Sequence, residues 1–450
     1  MSHPTPPARR SLDIAVVGTG IAGMSAAWLL NQHHRVTVYE RDGWVGGHSN
    51  TVDVSSDHGI TPVDTGFIVY NERNYPNLTA LFKHLDVPTK DSEMSFAASL
   101  DNGNLEYAGT DLNGFLGQRM NIVRPRFWRM ASDILRFYRE APIFLEDPRS
   151  QGISLGTYLQ EADYSEAFVN DHLLPMGAAI WSMAALEMKD YPAVAFIRFL
   201  QSHGLMLLRN RPQWRTVDGG SREYVKRLTE TYRDHIHFGG VRAVIRTGNN
   251  VLIEDQQGNV GAHDHVVIAA HADEALAILV DADPIEKRLL GAWRYTRNRA
   301  VLHRDAAFMP KRRRVWSSWN FIAGRNRIET RDLCVTYWMN RLQSLDTEEP
   351  LFVTLNPVSE PAAGKFIREF DYTHPFFDRA SLATQGELWS LQGRKRTWFC
   401  GSYFGYGFHE DALQSGLGVA EQLGGLRRPW TVADESGRIK IHPEHQAAAA

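Results

Sequence analysis

Apolar and polar positions near the amino terminus follow the pattern of a strand, a turn and a helix. Ile14–Val17 is an uninterrupted apolar run, which is typical of a central strand in a parallel sheet. The small and apolar residues from there to Leu30 are typical of a helix packed against such a sheet. A second strand is predicted at Arg35–Glu40. This order predicts a βαβ unit and therefore an α/β fold.

The middle of the chain holds several longer apolar segments. Arg124–Leu145 is predicted to be an amphipathic helix with one apolar face, formed by Phe127, Met130, Ile134 and Phe137. Leu173–Met188 and Val194–Leu208 are further helix candidates. Such faces normally pack into a core. The alternative is that some of them line a long apolar channel or touch a bilayer.

The segment from Asp281 to Gly393 is richer in alternating and aromatic positions, which predicts a second sheet. Four of its side chains are candidates for contact with a substrate, although packing in the core is the simpler interpretation of each: His303, Trp316, Trp319 and Tyr337.

Composition narrows the class of protein. The 450 residues predict two domains. Lys and Arg number 49 against 52 Asp and Glu, a net charge of −3, which argues against nucleic acid as a partner. The basic run Lys311–Arg314 is interpreted as a solvated loop. Cys334 and Cys400 show no metal-ligand spacing, so neither a metal site nor a disulfide framework is expected, and a reducing, cytoplasmic setting fits.

The turn after the first strand carries the clearest chemical signal. Gly18, Gly20 and Gly23 form G-x-G-x-x-G between a predicted strand and a predicted helix. These glycines permit a tight turn, close approach of the backbone to a pyrophosphate, and close helix–strand packing. Glu40 lies 22 residues after Gly18, where a carboxylate can accept hydrogen bonds from ribose hydroxyls. The pattern predicts a dinucleotide site.

A second glycine doublet, Gly46-Gly47, follows within a few residues and favours FAD over NAD, because FAD is longer and must pass another loop. The stretch around it resembles the second glycine motif of the flavin-containing amine oxidase and phytoene desaturase superfamily. His48 stands where that superfamily usually has Arg. A neutral imidazole can still donate a hydrogen bond there, but it lacks the permanent charge.

Further motifs occur in the order found in that superfamily. They include VDTGFIVYN (Val63–Asn71), TVDGGSREYVKRL (Thr216–Leu228) and HDHVVIAAHADEAL (His263–Leu276), and a hairpin is predicted at Gly239–Asp255. The resemblance implies a discontinuous Rossmann-like FAD-binding domain at 12–81, 215–280 and 394–430, and an α+β substrate domain at 82–214 and 281–393. Flexible tails are expected at 1–11 and 440–450.

The segment Gly401–Gly416, GSYFGYGFHEDALQSG, is interpreted as the last part of the cofactor cradle rather than as an acid–base cluster. A helix that begins near His409 would direct its positive end at the flavin. His409 and Tyr403 are the candidates for a catalytic role. The expected cofactor contacts are Gly18, Gly20, Ile21, Ala22, Gly23, Glu40, Arg41, Gly46, Gly47, His48, Gly66, Phe67, Val241, Gly401, Ser402, Ser415 and Gly416.

By GSYFGYGFHEDALQSG, WSSWNF and NRAVLHRD, the chain is most similar to bacterial proteins described as NAD/FAD-binding. Such proteins are often encoded beside cyclopropane-fatty-acid-synthase-like methyltransferases. The resemblance implies an FAD oxidoreductase that removes hydride from a fatty acyl or other apolar lipid chain. Two alternatives stay open: a flavin amine oxidase, with Tyr403 and Phe404 as one wall of an aromatic cage, and a non-redox FAD-binding scaffold.

The partners expected from the sequence are a small molecule or lipid acyl substrate and no nucleic acid. No uncharged apolar segment reaches the roughly 20 residues needed to span a bilayer, so contact with a membrane would be peripheral, at its inner face. The motifs do not specify the electron acceptor.

Overall fold

A computed structural model describes residues 10–150, 152–181, 186–324 and 334–441. The predicted tails at 1–11 and 440–450 lie almost wholly outside these ranges. The strands, numbered in chain order, are β1 (Asp13–Val17), β2 (Arg35–Glu40), β3 (Thr51–Ser56), β4 (Gly59–Asp64), β5 (Tyr70–Asn71), β6 (Thr89–Ser92), β7 (Phe96–Leu100), β8 (Leu105–Ala108), β9 (Trp214–Val217), β10 (Ile236–Phe238), β11 (Val241–Arg246), β12 (Val251–Asp255), β13 (Val260–His263), β14 (His265–Ile268), β15 (Arg294–His303), β16 (Trp319–Ile322), β17 (Val335–Trp338), β18 (Phe352–Leu355), β19 (Phe366–Phe376) and β20 (Thr397–Phe399).

The helices of the described ranges vary from one turn to twenty residues, and none is both long enough and apolar enough to cross a bilayer. They are α1 (Ile21–Leu30), α2 (Pro76–His84), α3 (Leu112–Phe115), α4 (Pro125–Phe144), α5 (Leu155–Glu161), α6 (Glu166–Phe168), α7 (Leu174–Trp181), α8 (Ala193–Ser202), α9 (Arg222–Thr229), α10 (Ala272–Ile278), α11 (Pro284–Leu290), α12 (Met339–Leu342), α13 (Arg379–Gln385) and α14 (His409–Gly424).

The first sheet is parallel, with the order β10-β2-β1-β14-β20. Its central strand β1 is buried on both faces, as the continuous apolar run predicts. β14 and β20 reach this sheet only after long excursions of the chain. The α/β prediction is confirmed, and the carboxyl ends of the five strands meet at one edge, where ligands of such sheets bind.

The second large sheet has seven strands in the order β19-β15-β18-β17-β16-β7-β8, so the predicted strand-rich segment is confirmed. The predicted amphipathic helix is α4, with its four apolar positions buried: Phe127, Met130, Ile134 and Phe137. The predicted hairpin is β11–β12. The division into two domains and the boundaries between them stay predictions.

The last helix, α14, packs directly on the first helix, α1. A methyl group at Gly416 would lie 2.2 Å from the carbonyl oxygen of Ala22 and 2.5 Å from Ser25 Oγ. One residue earlier, Ser415 Oγ accepts a hydrogen bond from the N–H of Gly401 at 2.9 Å and donates to the carbonyl of Ala412 at 2.8 Å. This contact sets the position of the chain from Gly401 onward relative to the glycine turn that begins α1.

We expect Gly416→Ala to lower stability by about 1–3 kcal/mol, because its methyl group meets backbone between two buried helices that cannot separate without opening the core. The readout is the midpoint of thermal unfolding. Gly248→Ala is the matched control, since its methyl group would meet no atom within 4 Å, and its midpoint should stay unchanged. Equal midpoints for both variants would contradict the tight α1–α14 contact.

Candidate functional site

A cavity of about 390 Å³ lies at the carboxyl edge of the parallel sheet and extends under the seven-stranded sheet. Eleven of the predicted cofactor-binding and catalytic residues line it together, although they come from five separate parts of the chain. They are Gly20, Ile21, Ala22, Gly46, His48, Gly66, Phe67, Gly401, Ser402, Tyr403 and His409.

The other predicted contacts lie outside the wall of this cavity, and several of them shape it from behind. A methyl group at Gly23 would lie 2.0 Å from the carbonyl oxygen of Gly18, so this glycine serves close packing of helix on strand. Gly47 has a φ of +57°, and its methyl group would lie 3.1 Å from Cα of Gly20. Ser415 and Gly416 make the helix contacts described above, so the structure gives them a packing role.

Glu40, Arg41 and Val241 form a separate group at the end of β2. The carboxylate of Glu40 accepts hydrogen bonds from the N–H groups of Thr19 at 2.9 Å and Asp42 at 2.7 Å. Its backbone carbonyl accepts from Gly239 and Gly240, which places Val241 beside it. Arg41 pairs with Glu274 at 2.7 Å. The roles of the three residues in binding a ribose or base stay a prediction.

The amino-terminal end of α1 faces the cavity through Gly20, Ile21 and Ala22. No side chain caps this helix, and a methyl group at Gly20 would meet no atom within 4 Å. The first N–H groups of a helix lack partners within the helix and carry its positive dipole end. The start of α1 therefore offers both open space and free N–H donors at the same place, and an anionic pyrophosphate requires both.

His48 is half-buried in the cavity wall, where its ring stacks on Tyr372 with centroids 4.9 Å apart. Burial, together with the nearby rings of His374, His271 and His409, lowers the pKa of His48 well below its usual 6.5. Its Nε2 atom has no hydrogen-bond partner among the described residues. His48 is thus a neutral imidazole with one free polar atom at the cavity.

His409 is the first residue of α14, and its ring stacks flat on Phe67 with centroids 3.8 Å apart. Its Nε2 pairs with the hydroxyl of Tyr224 at 2.8 Å and with Ser49 Oγ at 3.3 Å. Burial lowers the pKa of His409 to about 3. Because the ring is neutral and its Nε2 already has hydrogen-bond partners, His409 is better suited to hold a bound group in place than to donate or accept protons.

Tyr403 is buried beside Trp293 and lines the cavity. Burial raises the pKa of its phenol well above 10, so the hydroxyl keeps its proton. That hydroxyl has no hydrogen-bond partner among the described residues. Phe404 does not line the cavity; it is buried against Trp389 instead, so the proposed aromatic cage of Tyr403 and Phe404 is wrong.

Sequence reasoning missed three polar side chains of the cavity wall, each with a buried nitrogen that has no hydrogen-bond partner among the described residues: His172 Nε2, His203 Nε2 and Trp181 Nε1. Two of the four candidates for substrate contact, Trp319 and Tyr337, line the cavity, and Trp319 Nε1 has no hydrogen-bond partner among the described residues. His303 and Trp316 do not line it. His303 bonds Thr354 within the sheet at 2.7 Å, and Trp316 donates to the carbonyl of Pro310. The sequence signal that could have revealed His172 and His203 as site residues was the position of each histidine alone in an apolar helical segment.

The acidic pair that follows His409 serves the fold. Glu410 is fully buried and accepts hydrogen bonds from the N–H groups of Asn77 and Leu78, both at 3.0 Å, at the start of α2. Asp411 accepts from the N–H of Phe408 at 2.7 Å and pairs with Arg438 at 3.3 Å. Neither lines the cavity, so the interpretation that this run is no acid–base cluster agrees with its contacts.

Known structures share this architecture. Cyclohexylamine oxidase from Brevibacterium oxydans IH-35A superposes with a TM-score of 0.66 at 16% identity, covering 92% of this chain and 100% of that one. A conjugated-linoleic-acid (CLA)-producing fatty acid isomerase from P. acnes gives 0.64 at 14% identity, covering 90% and 97%. A putative protoporphyrinogen oxidase from Exiguobacterium sp. 255-15 gives 0.64 at 14%, covering 92% and 99%. At these identities the likeness shows the fold.

No curated protein is significantly similar in sequence. The model of the flavin-containing amine oxidoreductase family, in contrast, matches residues 21–355, which is most of the chain. That match includes α1, the glycine doublet and the seven-stranded sheet up to β18. The chain therefore belongs to the flavin-containing amine oxidoreductase family, and it is an FAD-dependent oxidoreductase.

Proposed function

We propose that this enzyme desaturates a fatty acyl or similar apolar lipid chain, so that hydride leaves one carbon atom, a proton leaves its neighbour and a double bond forms between them. The observation that carries the proposal is the chemistry of the cavity wall. Within the described residues it contains no Asp, Glu or Lys, and its single permanent charge is Arg211. Most of the remaining wall is apolar or aromatic, which suits a hydrocarbon chain.

The residues of the cavity fit FAD. The uncapped start of α1 supplies donors and open space for the pyrophosphate, at Gly20, Ile21 and Ala22. The unpartnered polar atoms of His48 and Tyr403 would find partners on a polar ring system. FAD, when bound, supplies a two-electron acceptor for hydride. The chain itself contributes the cradle, a neutral surround and the exclusion of water.

The part of the cavity beyond these residues is an apolar passage. Its wall includes Met176 and Ile180 of α7, Phe199 of α8, Leu205 and Phe377. Side chains of this kind exclude water from the reacting carbon atom and hold an alkyl chain by contact area alone. The neutral donors of Trp181 and Trp319 add polar contacts without adding charge.

An amine oxidase is the second candidate, which the family name and the resemblance to cyclohexylamine oxidase both suggest. A protonated amine that enters this cavity would lose water and find no carboxylate in the described wall to compensate its charge. Arg211 would repel it further. The same arginine would attract an anionic carboxylate, which supports an acyl substrate over a cationic one.

Anaerobic mixing of the FAD-loaded protein with candidate substrates separates these functions. We expect the visible absorbance of the flavin to bleach with a soluble fatty acid or acyl phospholipid, and to persist with an alkylamine of the same chain length. The matched amine and acid share their hydrocarbon chain and differ in the head group, which is a cationic ammonium in one and an anionic carboxylate in the other. Bleaching by the amine alone would contradict the proposal.

His409→Ala tests whether this residue holds the cofactor or takes part in the chemistry. We expect the dissociation constant for FAD to rise about tenfold, because the support under Phe67 is lost and the buried hydroxyl of Tyr224 keeps only one of its two partners, Ser49 Oγ. The rate of flavin reduction per bound FAD should change less than about threefold. A large loss of reduction rate with FAD fully retained would place His409 in catalysis instead.

The free energy of unfolding should decrease as the pH is lowered below 6.5. Burial lowers the pKa of His203 and His409 to about 3 and that of His172 and His374 to about 4. The folded state keeps these rings neutral, while the unfolded chain takes up protons below pH 6.5. Each ring thus stabilises the fold above that pH and loses its contribution as the pH falls, by up to about 1.4 kcal/mol per pH unit.

The unfolding midpoint of His203→Phe between pH 7.5 and 5 checks this expectation, because the variant keeps an aromatic ring against Phe199 and removes one titrating group. It should lose less stability on acidification than the wild type. Asp64 has the opposite effect on the pH dependence of stability, because burial raises its pKa to about 6. Since Asp64 is present in both proteins, its effect cancels when the variant is compared with the wild type. Identical pH profiles would contradict the neutral state of His203.

A further inference from the structure

Five large apolar side chains lie exposed on one short stretch of the chain, which consists of α3, the turn after it and the start of α4. Between 48% and 79% of each side chain is accessible: Leu112, Met120, Ile122, Val123 and Trp128. We call these residues, together with Arg119 and Lys311–Arg314, the α3–α4 surface. Soluble proteins rarely expose such clusters without a partner for them.

The members of the α3–α4 surface are contiguous in space. Arg119 and Met120 line one groove with Arg312–Arg314. The guanidinium of Arg119 donates to the side chain of Asn113 in α3 at 2.6 Å. At the other end, Trp128 Nε1 donates to the carbonyl of Ile122 at 2.8 Å. The apolar side chains therefore form one patch with the basic run Lys311–Arg314, although that run is distant in sequence.

The charge of this surface is of one sign. Residues 112–128 and 311–314 contain seven Lys and Arg and no Asp or Glu, although the whole chain has a net charge of −3. The neighbouring Asp111 is exposed at the start of α3, and Arg126 is paired with Asp171 at 2.8 Å, so five of the seven positive charges remain when each of these carboxylates is counted against one of them. Arg312 is paired with the buried Glu106 at 2.7 Å, and the guanidinium of Arg313 lies 3.9 Å from the ring centre of Trp316. Arg119, Lys311 and Arg314 have no carboxylate partner among the described residues.

We propose that the α3–α4 surface docks on an anionic lipid bilayer. Val123, Leu112 and Trp128 enter the headgroup region, where a tryptophan is favoured, and the basic side chains contact lipid phosphates. A nucleic acid would also attract the basic side chains, but it has no apolar layer in which the exposed apolar side chains could be buried. A second copy of the chain would bring two positive surfaces together, which is unfavourable.

Docking in this orientation places the bilayer close to the cavity. Phe115 of α3 packs on Tyr107 with centroids 5.8 Å apart, and the hydroxyl of Tyr107 lies 3.0 Å from Nδ1 of His172. His172 lines the cavity. Two layers of side chains thus separate the docked surface from the cavity. That the docked bilayer supplies an acyl chain to the cavity rests on the proposed function, whereas docking itself does not.

Co-sedimentation of the full-length, FAD-loaded protein with vesicles tests the proposal. We expect binding to vesicles of phosphatidylcholine with added phosphatidylglycerol, little binding to phosphatidylcholine alone, and weaker binding as salt rises. Arg119→Gln with Arg314→Gln should weaken binding about 25-fold, or about fivefold per arginine. Leu112→Ser with Val123→Ser should weaken it about tenfold.

Matched controls carry the same changes elsewhere on the surface: Arg233→Gln with Arg379→Gln, and Ile60→Ser with Val260→Ser, which replace exposed side chains of the same kind. They should bind like the wild type. Absence of wild-type binding, equal losses in the controls, or binding that the serine variants leave unchanged would each overturn the proposal. A change in oligomeric state without vesicle binding would identify the surface as a contact between copies and overturn it as well.

Flavin reduction by a dissolved short-chain acyl compound needs no membrane, so it measures the proposed function separately. Variants of the α3–α4 surface should keep that rate, because none of the substituted residues lines the cavity.

Discussion

The contact between α1 and α14 is the constraint on which the cavity depends. Gly416 lets the last helix of the parallel-sheet region approach the backbone of Ala22, and Ser415 binds the chain at Gly401 to the same helix. Through this contact the beginning and the end of the sequence meet around one space. A larger side chain at Gly416 would move the chain from Gly401 to His409 away from the glycine turn, and the cavity would lose one wall.

Charge is the second property that sets this site apart. The cavity holds several histidines, yet burial lowers the pKa of His172 and His409, and burial together with neighbouring histidine rings lowers that of His48, so these rings are neutral at physiological pH. Their free nitrogen atoms offer polarity without charge, as the phenol of Tyr403 does. The permanent charges lie at solvent-exposed positions, on Arg211 of the cavity wall and on the α3–α4 surface. Such a distribution suits a neutral reaction centre reached by a molecule with an apolar chain and an anionic end.

Most of the cradle could be predicted from the sequence because its signals are local. G-x-G-x-x-G between a strand and a helix requires only neighbouring residues, and the same holds for the doublet at Gly46. The opposite wall gave no such signal. His172 and His203 lie in apolar helical segments, where a single histidine is usually a core residue. Their unpartnered nitrogens become visible only when packing shows which groups surround them.

The sequence by itself determined the parallel sheet, the turn that begins α1 and the flavin-containing family, since short-range spacing of glycines and apolar residues specifies each of them. Tertiary structure alone decided which aromatic residues face the cavity: Trp319 does, whereas Phe404 packs against Trp389. It also decided that Glu410 caps α2 rather than reaching a ligand. The reason is physical. Contacts between segments hundreds of residues apart depend on packing, and packing is a property of the whole fold.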